Sequence, residues 1–164
     1  MIKAAFCDDD LSVLNELHVL MDNYRVERNQ EITYTAFHSP LELIAQIEKG
    51  MRFDILFLDV LMPGVNGIET AQEIREYDSA MKIIFLTSSA EYAVESYTVN
   101  AYFYQLKPIW PESFYRLMDS VLKECAQEQR RSLILRCKSG ITQISLDRLM
   151  YCEVQGRTLV FHMQ

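Results

Sequence analysis

The sequence lacks the features of membrane, secreted and zinc-stabilised proteins. It has no apolar run of the roughly 18 residues that a membrane-spanning helix needs. The N-terminus has no basic region followed by a small-residue cleavage site, so we expect no secretory signal. The four cysteines show neither CxxC spacing nor a paired histidine, which disfavours both a zinc site and a disulfide framework. These absences favour a cytoplasmic protein with reduced thiols.

Glycine is missing where a nucleotide-binding protein would need it. The segment after the first predicted strand reads DDDLS and forms no glycine-rich loop that could hold a phosphate. A nucleotide or flavin module of similar topology is therefore disfavoured. A chromophore bound to the purified protein would revive that alternative.

Charge is distributed unevenly along the chain. Residues 1–131 carry 12 Lys and Arg against 21 Asp and Glu, a net of −9, whereas residues 132–164 carry four basic and two acidic residues, a net of +2. The 164 residues, 49% of them hydrophobic, suffice for one compact domain and a piece of a second. The change of sign indicates two modules with different partners.

Short apolar strands alternate with amphipathic helices in the first module. The apolar run in Asp54–Leu58 is typical of a central parallel strand, and Ser39-Pro40 has the residue types of a helix N-cap and first helical position. Five βα units predict a parallel sheet with helices on both faces. The predicted strands are Ile2–Cys7, Ile32–Phe37, Asp54–Leu58, Lys82–Leu86 and Ala101–Leu106; the predicted helices are Leu11–Arg28, Pro40 to about Lys49, Ile68–Tyr77, Glu91–Tyr97 and Pro111–Arg131.

The pattern changes at Ser132. Two short strands flank Lys138-Ser139-Gly140, and Leu149–Val154 and Thr158–His162 flank Gln155-Gly156-Arg157, which are hairpin signals. Four short strands so close together predict the opening part of an all-β domain. Because the last strand lies at the final residues, we expect this domain to be incomplete.

Four of the five predicted strands end in a polar or charged residue. Ligands of open α/β sheets bind at the carboxyl ends of the strands, so these side chains should share one crevice. Carboxylates and hydroxyls there suit Mg²⁺, which prefers oxygen ligands and retains waters that a phosphate can replace. A carboxylate can also attack a phosphoryl group, with a lysine stabilising the charge on its oxygens. The residues are Asp8 and Asp9 after strand 1, Asp59 after strand 3, Thr87 and Ser88 after strand 4, and Lys107 after strand 5.

Three adjacent aspartates end the first strand although their charges repel. We expect Asp8 and Asp9 in the crevice and Asp10 as N-cap of the helix that begins near Leu11. The alternative register, with Asp9 and Asp10 in the crevice, would leave Asp8 in the strand with nothing to offset its burial.

Residues 1–125 resemble the receiver domain of two-component response regulators. The resemblance rests on FCDDD after strand 1, FLDVLMPGVNG around Asp59, LTSS after strand 4 and YFYQLKP at strand 5. It implies a flavodoxin-like (CheY-like) α/β fold whose five-stranded parallel sheet has the order 2-1-3-4-5. Residues 126–132 would be a helical linker, and residues 133–164 the N-terminal part of an all-β domain.

The resemblance also implies a phosphoacceptor and a metal site. Asp59 is the expected phosphoacceptor, which receives its phosphoryl group from a sensor histidine kinase. Asp9, Asp59 and the backbone carbonyl of Leu61 are the expected Mg²⁺ ligands, with Asp8 acting through a water.

Three further residues have roles implied by the resemblance. Thr87 would hydrogen-bond the phosphoryl group, and Lys107 would pair with it. Tyr104 would swing inward when Thr87 moves. The Lys107–Pro108 peptide bond is expected to be cis.

A second resemblance covers less of the chain. EYAVESYTVNAYFYQLKPI and the strands after Ser132 resemble response regulators with a LytTR-type DNA-binding output, which implies DNA as a partner of the full-length protein. In such receivers a face made of helix 4, strand 5 and helix 5 often mediates homodimerisation. Phe103 and Gln105 depart from the residues expected in strand 5, and Phe103 adds an apolar side chain to that face.

The sequence therefore predicts a phosphorylation switch that controls transcription rather than an enzyme with turnover. The main alternative is a Mg²⁺-dependent phosphatase or phosphotransferase with an aspartyl nucleophile. Such enzymes commonly need a second acid two residues after the nucleophile, and Leu61 stands there. A receiver that works without phosphorylation is a further alternative, which the intact set of acids disfavours.

Overall fold

The computed structural model describes residues 1–130, 132–137, 140–156 and 158–164. They form two compact units, Met1–Met118 and Asp119–Gln164. Within the described part of the chain, no helix combines the length and the apolarity needed to cross a membrane.

The first unit alternates strands and helices in the predicted order. Helix α4 continues from this unit into the second. The elements are β1 (Ile2–Cys7), α1 (Leu11–Arg28), β2 (Ile32–Phe37), α2 (Pro40–Glu48), β3 (Ile55–Asp59), β4 (Leu61–Met62), β5 (Val65–Asn66), α3 (Gly67–Tyr77), β6 (Lys82–Thr87), two 3₁₀-helices (Glu91–Ala93 and Glu95–Val99), β7 (Phe103–Leu106) and α4 (Pro111–Arg130).

Five strands form one parallel sheet of order β2-β1-β3-β6-β7. This is the predicted order 2-1-3-4-5, so the predicted flavodoxin-like fold is confirmed. The order reverses between β1 and β3, where the chain first adds a strand on one side and then on the other. A crevice at the carboxyl ends of these two strands follows from that topology.

The central strands β3 and β6 are buried on both faces, as their continuous apolar runs predict. Every residue of β3 is buried. On one face Leu56 and Phe85 belong to a core cluster with the apolar sides of α2 and α3. On the other face the Phe57 ring lies 5.5 Å from that of Phe6 and 5.6 Å from that of Phe114. Packing on both sides fixes the strand ends that carry the polar residues.

The predicted helix Glu91–Tyr97 is wrong in type. The segment forms two short 3₁₀-helices instead, and the second ends at Asn100 with a left-handed φ of 50°. Val94 and the sequence Tyr97-Thr98-Val99 explain the difference, because β-branched and aromatic side chains lose rotamer freedom against the preceding helical turn.

The loop predicted around Pro63–Gly67 contains a small hairpin that the sequence did not indicate. Strands β4 and β5 pair antiparallel, with Leu61 opposite Asn66. Gly64 lies between them with a φ of +76°. The hairpin turns the chain sharply between the end of β3 and the start of α3.

The second unit contains the four predicted strands, paired as two antiparallel hairpins. One joins β8 (Ser132–Cys137) to β9 (Gly140–Ser145), and the other joins β10 (Leu149–Gln155) to β11 (Thr158–Met163). The predicted turn residues Lys138, Ser139 and Arg157, and the predicted helix end at Arg131, lie outside the described residues.

Candidate functional site

The strand register brings the predicted site residues to one edge of the sheet. Cys7 of β1 pairs with Leu58 of β3, so Asp8 and Asp59 follow neighbouring strands at the same level. Asp59 pairs with Leu86 in β6, immediately before Thr87. Thr87 in turn pairs with Leu106 of β7, which places Lys107 just beyond it. The sheet therefore assembles the site from four separate parts of the chain.

Three carboxylates form an acidic cluster at this edge. Asp8, Asp9 and Asp59 each place one oxygen so that these atoms all lie within 4.8 Å of one another. Asp8 and Asp59 are 2% and 5% exposed, whereas Asp9 is exposed. The cluster therefore has a buried floor and an open side.

Lys107 supplies a positive charge to the buried floor. Its Nζ atom lies 2.7 Å from Asp8 Oδ2 and 3.0 Å from Asp59 Oδ2. Burial alone would lower the pKa of Lys107, but the hydrogen bonds and charges of Asp8 and Asp59 together raise it above its usual value. The lysine is therefore held as an ammonium between the two carboxylates.

Asp8 is held by two donors. Its Oδ2 accepts from Lys107, and its Oδ1 accepts from the Asp10 N–H at 3.0 Å. Burial nevertheless raises the pKa of Asp8 above its ordinary value, against the opposing effect of these hydrogen bonds. One ammonium does not fully offset the desolvation of this acid.

The charge balance of the cluster suits a divalent cation. Three ionised carboxylates and one ammonium sum to two negative charges, which a doubly charged ion would neutralise. All the side-chain ligand atoms are carboxylate oxygens, the donors that hard cations prefer, and exposed Asp9 leaves a route for entry. Asp8, with both oxygens already engaged, is less free to bind an ion directly than Asp9 is.

Asp10 has a separate structural role, as the sequence predicted. Its Oδ1 accepts from the Ser12 N–H at 2.8 Å and from the Ser12 hydroxyl at 2.6 Å, which caps the N-terminus of α1. These hydrogen bonds lower the pKa of Asp10. The predicted register of the three aspartates is confirmed, because Asp8 and Asp9 join the cluster and Asp10 caps the helix.

Thr87 and Tyr104 are connected through Ser89, a residue that the sequence did not single out. The buried Thr87 accepts from the Ser89 N–H through Oγ1 at 3.3 Å, and the Tyr104 hydroxyl donates to the Ser89 carbonyl at 2.7 Å. The Tyr104 ring is half-buried beside Phe85, with centroids 6.1 Å apart. The loop after β6 is thus held from both sides.

Gly67 packs directly against the backbone of Asp59. Its N–H donates to the Val60 carbonyl at 2.9 Å, and a Cβ atom added to it would lie 2.1 Å from the Asp59 carbonyl oxygen. Asn66 starts α3 beside it by accepting from the Ile68 N–H at 2.8 Å. The sequence predicts Gly67 in a loop. Only its position directly after Pro63-Gly64-Val65-Asn66 indicates that it could lie close to another part of the backbone.

The remaining predicted features lie at this edge or beside it. The Lys107–Pro108 bond is cis, as predicted. The Leu61 N–H donates to Asp59 Oδ1 at 3.3 Å, and the Leu61 side chain is exposed. The predicted role of the Leu61 carbonyl as a ligand stays a prediction.

We expect Lys107→Met to lower the free energy of unfolding by about 3 kcal/mol near neutral pH without added metal, because it leaves Asp8 and Asp59 buried without their cation. The folded-state pKa of Lys107 lies above its ordinary value of 10.5, so the ammonium stabilises the fold below that pH. Its contribution is lost as the pH rises through the folded-state pKa. Urea unfolding across this alkaline range should therefore show the difference between wild type and variant shrinking.

The matched control for this substitution is Lys3→Met, since Lys3 is an exposed lysine of the same sheet. It should change stability by less than about 0.5 kcal/mol. Equal effects of the two substitutions, or a loss that does not depend on pH, would contradict the assignment of Lys107 as the counter-charge of the cluster.

Comparison with known proteins identifies the family of this chain. A family model described as the response regulator receiver domain matches residues 5–121. The sensory transduction protein LytT of Oceanobacillus iheyensis is 31% identical over 116 residues, which cover 66% of this chain and 47% of that protein. The transcriptional regulatory protein NatR of Bacillus subtilis is 25% identical over 159 residues, which cover 96% of this chain and 66% of that protein.

Solved structures show the same fold. The response regulatory domain of mrkE from Klebsiella pneumoniae has a TM-score of 0.69 and 23% identity, with coverage of 77% of this chain and 99% of that one. The chemotaxis protein CheY4 of Vibrio cholerae has a TM-score of 0.64 and 25% identity, with coverage of 74% and 98%.

These findings confirm the predicted resemblance, and the LytT relative supports its LytTR-type form. They give no support to the phosphatase alternative. The chain spans about half to two thirds of the length of the curated relatives it matches, 47% of LytT and 66% of NatR. The chain belongs to the response regulator receiver domain family and contains the receiver domain of a two-component response regulator.

Proposed function

We propose that this receiver is a Mg²⁺-dependent switch that accepts a phosphoryl group on Asp59 from a sensor histidine kinase. The observation that carries the proposal is the arrangement around Asp59. Its buried carboxylate lies 3.0 Å from the Lys107 ammonium and shares an acidic cluster with Asp8 and Asp9. Asp59 ends an otherwise apolar strand, with a cation and two further carboxylates beside it. Such an arrangement is hard to explain by a structural role alone.

The transfer would be an in-line displacement at phosphorus. An Asp59 oxygen forms the new O–P bond while the P–N bond to the kinase histidine breaks, and the leaving imidazole keeps the electron pair. Bound Mg²⁺ would neutralise charge on the transferring oxygens. Lys107, already held as an ammonium at Asp59, would contact the product phosphoryl group, and the Thr87 hydroxyl would donate to it.

The metal would be held by the acidic cluster. We propose Asp9, Asp59 and the Leu61 carbonyl as direct ligands, with Asp8 acting through a water. The exposure of Asp9 supports its place as a direct ligand.

Substitutions of the three aspartates should separate their roles. We expect Asp9→Ala to weaken Mg²⁺ binding about tenfold or more and Asp8→Ala to weaken it less, because a ligand that acts through water contributes less directly. Asp10→Ala should leave the affinity within about twofold, because Asp10 only caps α1. Isothermal titration of each variant with Mg²⁺ measures this order, and a loss in Asp10→Ala equal to that in Asp9→Ala would contradict it.

The response to phosphorylation would pass through Ser89. A phosphoryl group that draws the Thr87 hydroxyl toward itself would alter the hydrogen bond between Thr87 and Ser89, and Tyr104 holds the other side of Ser89. Phosphorylation then shifts the population of arrangements of this loop and Tyr104, to the extent that the phosphoryl group interacts better with one of them.

The output would be a cytoplasmic LytTR-type DNA-binding domain that regulates transcription. We propose a receiver at residues 1–125, a helical linker at 126–132 and the start of the output domain at 133–164. The alignment with NatR, a transcriptional regulatory protein, extends over 96% of this chain and so reaches the β-hairpins. Four exposed apolar side chains support a homodimer through the face that contains Phe103 and Gln105. They are Val94 between the two 3₁₀-helices, Tyr97 in the second of them, and Phe103 and Leu106 in β7.

The proposal is tested by incubating the purified chain with acetyl phosphate and Mg²⁺. Intact-mass spectrometry should show the gain of one phosphoryl group, and chelation of Mg²⁺ with EDTA should suppress that gain. Equal incorporation with and without EDTA would argue against a metal-dependent acceptor. Continuous hydrolysis of a stable phosphate monoester such as p-nitrophenyl phosphate, in large excess over protein, would instead support the phosphatase alternative.

A further inference from the structure

Arg75, which lies in helix α3, donates hydrogen bonds to four backbone carbonyls. Its Nε donates to the Val99 carbonyl at 2.8 Å, and its Nη2 donates to the Asn100 carbonyl at 3.2 Å. Its Nη1 donates to the carbonyls of Asp78 at 3.1 Å and Met81 at 2.8 Å. The guanidinium thus joins the end of α3 to a segment that is 24 residues away in sequence.

Two of these acceptors belong to the end of the second 3₁₀-helix. Glu95, Tyr97 and Thr98 of this helix are exposed, and Ser96 and Val99 are its buried residues. A 3₁₀-helix has poorer hydrogen-bond geometry than an α-helix, so side-chain contacts matter more to its position. Arg75 supplies two such contacts at the residues where the segment turns toward β7.

An arginine is required for this contact. Burial lowers the pKa of Arg75, with the Asp78 charge opposing that effect, so the position carries a desolvation cost. The planar guanidinium presents five N–H donors in a fixed fork and can serve several carbonyls at once. A lysine at this position would present a single nitrogen and could not reach the same set of acceptors.

Helix α3 also contacts the backbone of the proposed phosphoacceptor. At its N-terminus Gly67 lies against the Asp59 carbonyl, and at its C-terminal end Arg75 holds Val99 and Asn100. Through these two contacts α3 touches both Asp59 and the 3₁₀ segment that precedes Tyr104.

We propose that Arg75 is a positioning residue, which holds residues 95–100 on helix α3 and thereby sets how readily this segment moves when Asp59 is phosphorylated. The second part rests on the proposed phosphorylation of Asp59, and the first part does not.

Hydrogen exchange of the Arg75→Gln variant tests the positioning role in the unphosphorylated protein. The reporters are the Asn100 and Ala101 amides, which donate to Tyr97 and Ser96 of the same segment. We expect their exchange to be about tenfold faster in Arg75→Gln, while amides of β1 stay within about twofold of wild type. Arg75→Lys should fall between wild type and Arg75→Gln.

Arg52→Gln is the matched control. The Arg52 Nη1 also donates to two backbone carbonyls, but these belong to Ile47 and Met51, which are close to Arg52 in the sequence. It should leave the Asn100 and Ala101 amides unchanged. No acceleration in Arg75→Gln, or an equal acceleration in β1, would overturn the positioning role, since the second result would mean only a loss of global stability.

A second comparison uses acetyl phosphate and Mg²⁺. If Arg75 sets the cost of moving the segment, the change in its exchange on phosphorylation should be smaller in Arg75→Gln than in wild type, at equal incorporated phosphate. An identical change in both proteins would overturn the link to phosphorylation. If wild type takes up no phosphate, the proposed function fails, while the exchange of the unphosphorylated proteins still decides whether Arg75 positions the segment.

Discussion

Asp59→Asn will take up no phosphoryl group from acetyl phosphate in the presence of Mg²⁺. The amide is nearly isosteric with the carboxylate but has no anionic oxygen to attack phosphorus, so the acyl phosphate cannot form. Lys107 keeps Asp8 as its partner at 2.7 Å, so the variant should remain folded. Intact-mass spectrometry over a time course measures the loss, which should be complete rather than partial.

Asp10→Asn is the control for this substitution. Asn caps helices about as well as Asp, and Asp10 lies outside the acidic cluster, so this variant should be phosphorylated at a rate close to wild type. Circular dichroism of both variants checks that each is folded. Persistent incorporation in folded Asp59→Asn would assign the acceptor to another residue.

Gly67→Ala will destabilise the receiver by about 2–4 kcal/mol, a large effect for the addition of one methyl group. The new Cβ would lie 2.1 Å from the Asp59 carbonyl oxygen and 2.7 Å from the Val60 Cα, and both of these atoms belong to backbone. Neither can rotate away as a flexible side chain could. The strain would fall on the acceptor segment itself, so slower phosphorylation should accompany the lower stability.

Gly64→Ala separates steric contact from backbone conformation. Gly64 has a φ of +76° and no atom within 4 Å of an added Cβ, so its substitution meets only the cost of a left-handed backbone, about 1 kcal/mol. Urea unfolding should rank Gly67→Ala as clearly the more damaging of the two. The reverse order would show that the contact between Gly67 and Asp59 is not as close as described.

Much of the fold follows from local patterns in the sequence. Continuous apolar runs such as that in β3 identify buried parallel strands, and the turn and cap residues between them set the βα order. Once that order is known, Asp8, Asp59, Thr87 and Lys107 must meet, because carboxyl ends of parallel strands share an edge. The cap formed by Asp10 was also predictable, since it depends only on residues two positions away.

The features that sequence reasoning missed depend on backbone atoms of distant segments. Gly67 approaches the Asp59 carbonyl only because the β4–β5 hairpin folds the chain back, and Ser89 connects Thr87 to Tyr104 through its main chain. In the sequence, Arg75 is an ordinary arginine near the end of a helix. Only the structure shows its hydrogen bonds to the Val99 and Asn100 carbonyls. Because every residue has a backbone carbonyl whatever its type, no sequence motif indicates such contacts.

The segment that forms the two 3₁₀-helices was mispredicted for a different reason. Its apolar spacing is compatible with an α-helix, which is what the sequence predicts. The β-branched residues and the left-handed Asn100 favour the tighter form, and the difference in energy between the two forms is small enough for tertiary contacts to decide.

The central claim is that Asp59 carries the phosphoryl group, and the most direct measurement is to locate that group on the wild-type chain. Treatment with acetyl phosphate and Mg²⁺, reduction of the acyl phosphate with borohydride and peptide mass spectrometry would mark the modified residue. We expect a single modified position at Asp59, with the Asp8 and Asp9 peptide unmodified. Modification of Asp8 or Asp9, or a stable phosphate ester on Thr87 or Ser88, would contradict it.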